Sequence, residues 1–173
     1  MITIICSTNR PDSNTAKVGI MYKAVLKSMG VKAQILDLQE VEPQWIQESK
    51  YRTNSAAFEA IVSKYIRPVS QLIFVVPEYN GSFPGYLKYF MDACDQNDFR
   101  GKKVALMGLA SGRSGNVRGL DHLTGILHYL GSEVYSAKVY LSLVNHSLSE
   151  TGELVNDILQ SEIEAQMKGF VTF

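Results

Sequence analysis

The chain has 173 residues, 46% hydrophobic and 20% charged, and its 17 basic side chains equal its 17 acidic ones, for a formal net charge of zero. That length suits one domain with a core of its own, spanning residues 1–173. The even balance argues against a dedicated nucleic-acid binder, an acidic disordered tail or a polybasic membrane tether, each of which carries a one-signed excess.

Residues 2–6 form a short apolar run and predict a first strand, followed by a polar loop. Val18, Tyr22, Val25 and Met29 recur at helical spacing, and Gly30 is a natural helix stop. Residues 32–38 read as a half-exposed second strand. Residues 43–53, with the sole tryptophan Trp45, read as irregular, before a helix over 55–67. The run 72–76 is almost wholly apolar, as in a central parallel strand buried on both faces. Beyond a second polar loop, Leu87, Phe90, Met91 and Cys94 mark a helix beginning near Pro84, where a missing N–H costs no hydrogen bond. A fourth strand covers 103–109, a small-residue loop 110–115, and Leu120, Leu123, Leu127 and Leu130 a helix ending at Gly131. A fifth strand covers 133–141, and Leu154, Ile158, Ile163 and Met167 suggest a closing helix.

Strand and helix thus alternate five times without a linker, which predicts an α/β fold with a parallel sheet between two helical layers. Right-handed crossovers leave few strand orders, and five strands fit the flavodoxin-like order 2-1-3-4-5, a three-layer sandwich. The two cysteines, Cys6 and Cys94, read as small buried hydrophobes, and neither lies in a Cys-x-x-Cys pair. The first residues lack a charged signal-peptide region, and no apolar run approaches the ~20 residues that span a bilayer. The expected location is cytoplasmic, so the sequons at Asn80 and Asn145 are treated as chance.

Ligands of such sheets bind beyond the carboxyl ends of the strands, where the loops after strands 1, 3 and 4 are neighbours. The first loop offers hydroxyls at Ser7, Thr8, Ser13 and Thr15, amides at Asn9 and Asn14, and the Arg10 guanidinium, and it runs into a helix N-terminus. That combination suits a terminal phosphate. The plainer alternative is a helix cap by Ser13 or Asn14, and both can hold at once. No Gly-x-x-x-x-Gly-Lys-Ser/Thr and no Gly-x-Gly-x-x-Gly occurs, so a monophosphate such as that of FMN fits better than a bridging pyrophosphate.

The second loop, 77–85, contains Asn80-Gly81, usually a hairpin signal; between a parallel strand and a helix the hairpin reading is set aside. Tyr79 and Phe83 offer faces to a planar ring, and Gly81 lets backbone N–H groups approach it; alternatively both aromatics pack on the domain or a second subunit. In the third loop small residues leave room for a flat cofactor. Arg113 and Arg118 could contact a pyridine-nucleotide phosphate there, although the plainer reading makes them solvated surface arginines.

At these loops the sequence resembles the NADPH-dependent FMN reductase family. That family's second motif, Pro-Glu-Tyr-Asn-x-x-x-Pro-Gly-x-Leu-Lys, is met in full by Pro77, Glu78, Tyr79, Asn80, Pro84, Gly85, Leu87 and Lys88, with Asp92 in its usual place. The first motif, Gly-Ser-x-Arg-x-x-Ser-x-Asn, is matched at Arg10 and Ser13, while Ser7, Thr8 and Thr15 stand for Gly, Ser and Asn. The resemblance implies FMN phosphate at residues 7–15, flavin ring and ribityl chain at Pro77, Glu78, Tyr79, Asn80 and Gly81, and the ring's far edge at Ser111 and Gly112. It also implies reduction by NADPH or NADH, a small-molecule acceptor (quinone, azo compound, metal oxyanion or flavin), and a homodimer or homotetramer.

No general acid or base is required, because the flavin carries the redox chemistry. Glu78 is read as structural or as a subunit contact, since a carboxylate would repel a reduced, anionic flavin. His122 and His128 pack or face solvent, and His146 lies in a loop after strand 5, where a role at the crevice rim is the less favoured reading. The rival readings are a flavodoxin-like electron carrier, disfavoured by the balanced charge, and an FMN-binding sensor without turnover. A phospho-acceptor domain lacks its acidic cluster, and a serine hydrolase lacks its Gly-x-Ser-x-Gly elbow.

Overall fold

In the computed structural model, which describes residues 1–49, 53–149 and 157–173, three mostly apolar strands lie side by side at the centre of the molecule. They are β1 (Ile2–Cys6), β3 (Gln71–Pro77) and β4 (Lys103–Leu109). With β2 (Ala33–Asp37), β5 (Glu133–Val134) and β6 (Val139–Leu141) they form one parallel sheet in the order β2-β1-β3-β4-β5, β6 pairing β4 as well. Ile4 stands opposite both Ile35 and Ile73, and Val75 opposite Met107.

The two-residue alternation sends side chains to opposite layers, and both layers are apolar. Ile5, Phe74, Val76 and Leu106 face α3 (Ala56–Tyr65), α4 (Gly85–Ala93) and α5 (Val117–Tyr129), through Phe58, Leu87, Phe90 and Leu123. Ile4, Ile73, Val75 and Met107 face α1 (Asn14–Ser28) and the closing helix (Asp157–Phe170), through Tyr22, Leu26, Ile163 and Met167. Ser13 caps α1, accepting from the Ala16 N–H at 3.4 Å, and Ser55 caps α3, accepting from Phe58 at 3.3 Å.

The fold departs from the expected elements in four places. The fifth strand, expected to be continuous over 133–141, is broken into β5 and β6. Gln166 of the closing helix fills the break: its amide donates to the carbonyls of Leu106 at 3.0 Å and Ala137 at 2.7 Å, and its oxygen accepts from Tyr22 at 2.6 Å. A side chain thus replaces the missing ladder bond. The stretch expected to be irregular over 43–53 contains α2 (Pro43–Gln47), whose Trp45 packs on the core and whose carbonyl oxygen at Trp45 accepts from Ser55 at 2.7 Å; residues 50–52 lie outside the described residues. Pro84 is the N-cap of α4 rather than part of its first turn. In the closing helix the buried stripe is Leu159, Ile163, Met167 and Phe170, whereas Ile158 is 63% exposed; Leu154 lies outside the described residues.

Candidate functional site

β1, β3 and β4 end together, so the loops that follow them meet at one edge of the sheet. The first loop continues the ladder, with the Ser7 N–H donating to Val75 at 3.0 Å. Ser7 is fully buried, its hydroxyl turned back to Ile5. Thr8 is also buried, and its hydroxyl meets the Tyr79 hydroxyl at 2.7 Å while accepting from the Arg10 N–H at 3.3 Å. Thr15 is buried, its hydroxyl 2.6 Å from that of Ser13. Burial therefore divides the hydroxyls that composition alone treats as equal. Ser7 and Thr15 brace the loop from within. Asn9 and Arg10 are exposed, Ser13 and Asn14 half-buried, and the first-turn N–H groups of α1 have no intrahelical acceptor. The Arg10 guanidinium lies 4.2 Å from the Tyr79 ring centroid, and the Asn14 amide reaches Asn145, 3.4 Å away, in the short helix α6 (Val144–Ser147). His146, in the same turn, is exposed.

The second loop holds a tight reversal. Tyr79 and Ser82 exchange N–H···O bonds of 2.9 and 3.1 Å across Asn80 and Gly81, both at positive φ (51° and 77°). The reversal for which Asn-Gly is suited is therefore present, though no strands flank it. Pro77 ends β3, and Glu78 donates its N–H to Leu109 at 2.7 Å. The Glu78 carboxylate accepts from the Ser114 hydroxyl and stands 3.9 Å from Arg118, tying the second loop to the third. Ser82 meets His122 Nδ1 at 2.9 Å. Phe83 is half-buried and packs against the core, the alternative open to it beside the one that paired it with Tyr79. Lys88 and Asp92 form an ion pair on the exposed side of α4, 2.6 Å apart.

The third loop is held by the segment after β6. The Leu143 N–H donates to Gly112 at 2.9 Å, the Val144 N–H to Ala110 at 3.0 Å, and the Ser142 hydroxyl to the Arg113 carbonyl at 2.7 Å. Small residues serve two purposes here. A Cβ on Gly108 would strike the Gly115 carbonyl oxygen, and one on Gly115 would lie 2.7 Å from Tyr140 Cβ. A Cβ on Gly112 would meet nothing within 4 Å, and Ser111 and Gly112 are exposed. Open space is thus found at Gly112 and not throughout the loop.

Asn116, which sequence reasoning passed over, is buried at φ +67° and donates its side-chain amide to Val76 at 3.1 Å. Its position just before a predicted helix was the available signal. Cys6, beneath the first loop, has its thiol pushed up by burial first and by Asp37 and Glu40 next, so it stays protonated and is no nucleophile. A separate concavity of about 870 Å³ is lined by Ile46, Glu59, Arg67, Tyr89 and Tyr129 among others and includes no residue of these three loops.

The arrangement fits a phosphorylated, planar ligand. The first loop offers a guanidinium, two amides and the start of α1, where Ser13 already takes the Ala16 N–H, the second offers Tyr79 and a glycine turn, and the third leaves Gly112 open. Residues 1–146 match the family model described as NADPH-dependent FMN reductase. An NAD(P)H-dependent FMN reductase of Pseudomonas aeruginosa is 31% identical over 107 residues, 60% of this chain and 58% of that protein. A quinone reductase of Escherichia coli is 27% identical over 180 aligned positions, covering 100% of this chain and 94% of that one. The flavoenzyme NAD(P)H:(acceptor) oxidoreductase of Paracoccus denitrificans shares the fold, with a TM-score of 0.79 at 17% identity over 99% of this chain and 94% of its own. Among the described residues no helix is long and apolar enough to cross a membrane.

Proposed function

The chain belongs to the NADPH-dependent FMN reductase family, and from that premise we propose that it binds FMN between its three loops, takes electrons from NADPH or NADH, and passes them to a small-molecule acceptor. The acceptor class is a quinone, azo compound, metal oxyanion or free flavin. The observation that carries the proposal is the Thr8–Tyr79 hydrogen bond of 2.7 Å, which joins the loops after β1 and β3 into one crevice with Arg10 at its mouth.

In this reading Arg10, Asn9, Ser13 and Asn14, with the first-turn N–H groups of α1, hold the FMN phosphate, and Ser7 and Thr15 brace them. Pro77, Glu78, Tyr79, Asn80 and Gly81 hold the ring and ribityl chain, Tyr79 by its ring and Gly81 by backbone N–H. Ser111 and Gly112 border the far edge. Bound FMN supplies the redox chemistry, accepting a hydride and releasing electrons. The residues fix its position, exclude water from the inner face and supply fixed dipoles. The Glu78 side chain does structural work, because its carboxylate is already engaged by Ser114 and Arg118. Donor and acceptor use the same open face in turn. A cytoplasmic homodimer or homotetramer is part of the proposal.

The test is the visible spectrum of the purified protein, FMN identification after heat release, and anaerobic mixing with NADPH. Yellow protein that bleaches in turnover time is expected. Yellow protein that does not bleach would make it a carrier or sensor, and a colourless protein that FMN cannot reconstitute sinks the proposal. Arg10→Ala should weaken FMN binding roughly 10- to 100-fold, the range of a charge-assisted hydrogen bond.

A further inference from the structure

Arg113 and Arg118 are alike in sequence, but the fold treats them differently. Arg113 is exposed, and its backbone carbonyl accepts from the Ser142 hydroxyl. The Arg118 side chain is 73% exposed, yet its Nη2 lies 3.9 Å from Glu78 Oε1. Its Nη2 and Nε also come within 3.7 and 3.8 Å of where a Cβ on Gly81 would stand. The guanidinium therefore lies over the Gly81 turn, on the wall of the proposed ring site. Two arginines flank the second loop: Arg10 against Tyr79 on the phosphate side, Arg118 against Gly81 on the side of α5.

We infer that Arg118 anchors the diphosphate of the nicotinamide dinucleotide when the hydride donor docks, an inference that rests on the FMN reading above. A nicotinamide laid flat on the flavin must send its ribose and diphosphate out across a wall of the crevice. With FMN bound, the initially neutral chain gains a phosphate of about −1.5 to −2. A polyanionic donor then enters an anionic field unless a cation meets it. A guanidinium offers paired N–H donors to phosphate oxygens.

Arg118 is free to do this, because its ion pair with Glu78 is long and exposed. When it turns to the donor, Glu78 keeps the Ser114 hydroxyl and is not left unpaired. The diphosphate, rather than the 2′-phosphate, is assigned because only one ribose separates it from the nicotinamide, whereas the 2′-phosphate lies on the far, adenosine side. Arg118 thus acts on NADH and NADPH alike.

The experiment uses the FMN-loaded enzyme with three donors: NADPH, NADH and 1-benzyl-1,4-dihydronicotinamide, which carries the hydride but no phosphate. In Arg118→Ala, the kcat/KM ratio of NADPH to the benzyl donor should fall about tenfold, and the NADH ratio by a similar factor. Arg118→Lys should recover part of the loss, and Arg113→Ala, which removes the same charge nearby, should move the ratios less than about twofold. A fall for NADPH alone assigns the 2′-phosphate and overturns the inference. Equal falls for all three donors would make Arg118 a support of the ring wall, which also overturns it. Wild-type protein that holds no FMN fails the underlying reading; FMN-loaded Arg118→Ala with unchanged ratios fails this inference alone.

Discussion

The link between the first two loops is a hydroxyl pair, Thr8 and Tyr79, 2.7 Å apart and 71 residues apart in sequence. Thr8→Val and Tyr79→Phe, alone and together, remove it with little change of shape. A neutral hydrogen bond contributes about 0.5–1.5 kcal/mol net. Thr8→Val also removes the acceptor of the Arg10 N–H, but Arg10 is exposed and water replaces that bond. Tyr79→Phe leaves the buried Thr8 hydroxyl with the weaker, 3.3 Å partner alone. Each single variant should therefore lose about 1 kcal/mol, and the double variant should lose about 1 kcal/mol less than the sum, the signature of direct coupling. Urea unfolding of the apoprotein gives these values free of ligand mass action. Because the pair spaces the crevice walls, FMN affinity should fall by up to about fivefold, the equivalent of 1 kcal/mol, measured by quenching of FMN fluorescence. A coupling under about 0.3 kcal/mol refutes the reasoning. So does weaker FMN binding in Tyr79→Phe but not in Thr8→Val, which would mean that the tyrosine hydroxyl acts on the cofactor directly.

In the third loop, Gly115→Ala places a Cβ 2.7 Å from Tyr140 Cβ at φ +58° and should destabilise by about 2–4 kcal/mol in thermal unfolding; Gly112→Ala, facing open space, should stay within about 0.5 kcal/mol. Equal effects would contradict the division of that loop into packed and open glycines. Asn116→Ala keeps the strained φ and loses the bond to Val76, so it should cost about 2–3 kcal/mol, while Asn116→Gly relieves the strain and should cost about 1 kcal/mol. The opposite order in denaturant midpoints would count against this account. Glu59 is pulled down to about 2, from an ordinary 4.5, chiefly by its hydrogen bond to Arg67 and then by Asn54. A depressed carboxylate stabilises above its unfolded value and loses that contribution as pH falls from about 4.5 to 2. The wild-type advantage over Glu59→Gln should shrink in that window. It should stay under about 1 kcal/mol because both partners are about 40% exposed to solvent; an advantage that grows on acidification would reverse the sign.

Much of the fold is legible in the chain itself. The apolar run at residues 72–76 states its double-sided burial outright, because that strand is covered by helices on both faces. Trp45 and its short helix were less legible, since five residues are too few to show a period. The break in the fifth strand had only a faint local signal, the weak strand formers Ser136, Ala137 and Lys138 between two β-prone stretches. The Gln166 amide, arriving from the closing helix, donates to the Leu106 and Ala137 carbonyls at that break, a contact no local pattern encodes.

By itself, then, the sequence determined the alternation of strands and helices, the order of the sheet, the three loops that meet at its edge and the motif from Pro77 to Lys88 that carries the family. The alternation follows from local burial periods and the strand order is narrowed by the handedness of parallel crossovers, whereas the motif is legible only by its resemblance to the family. The tertiary structure decided which members of each loop are free. Ser7 and Thr15 turn inward, Thr8 locks to Tyr79, Phe83 packs against the core, and Arg118 but not Arg113 stands over Gly81. The reason is physical: whether a hydroxyl or a guanidinium is available depends on what lies across the crevice from it. That neighbour belongs to another strand's loop, tens of residues away, which no local spacing encodes.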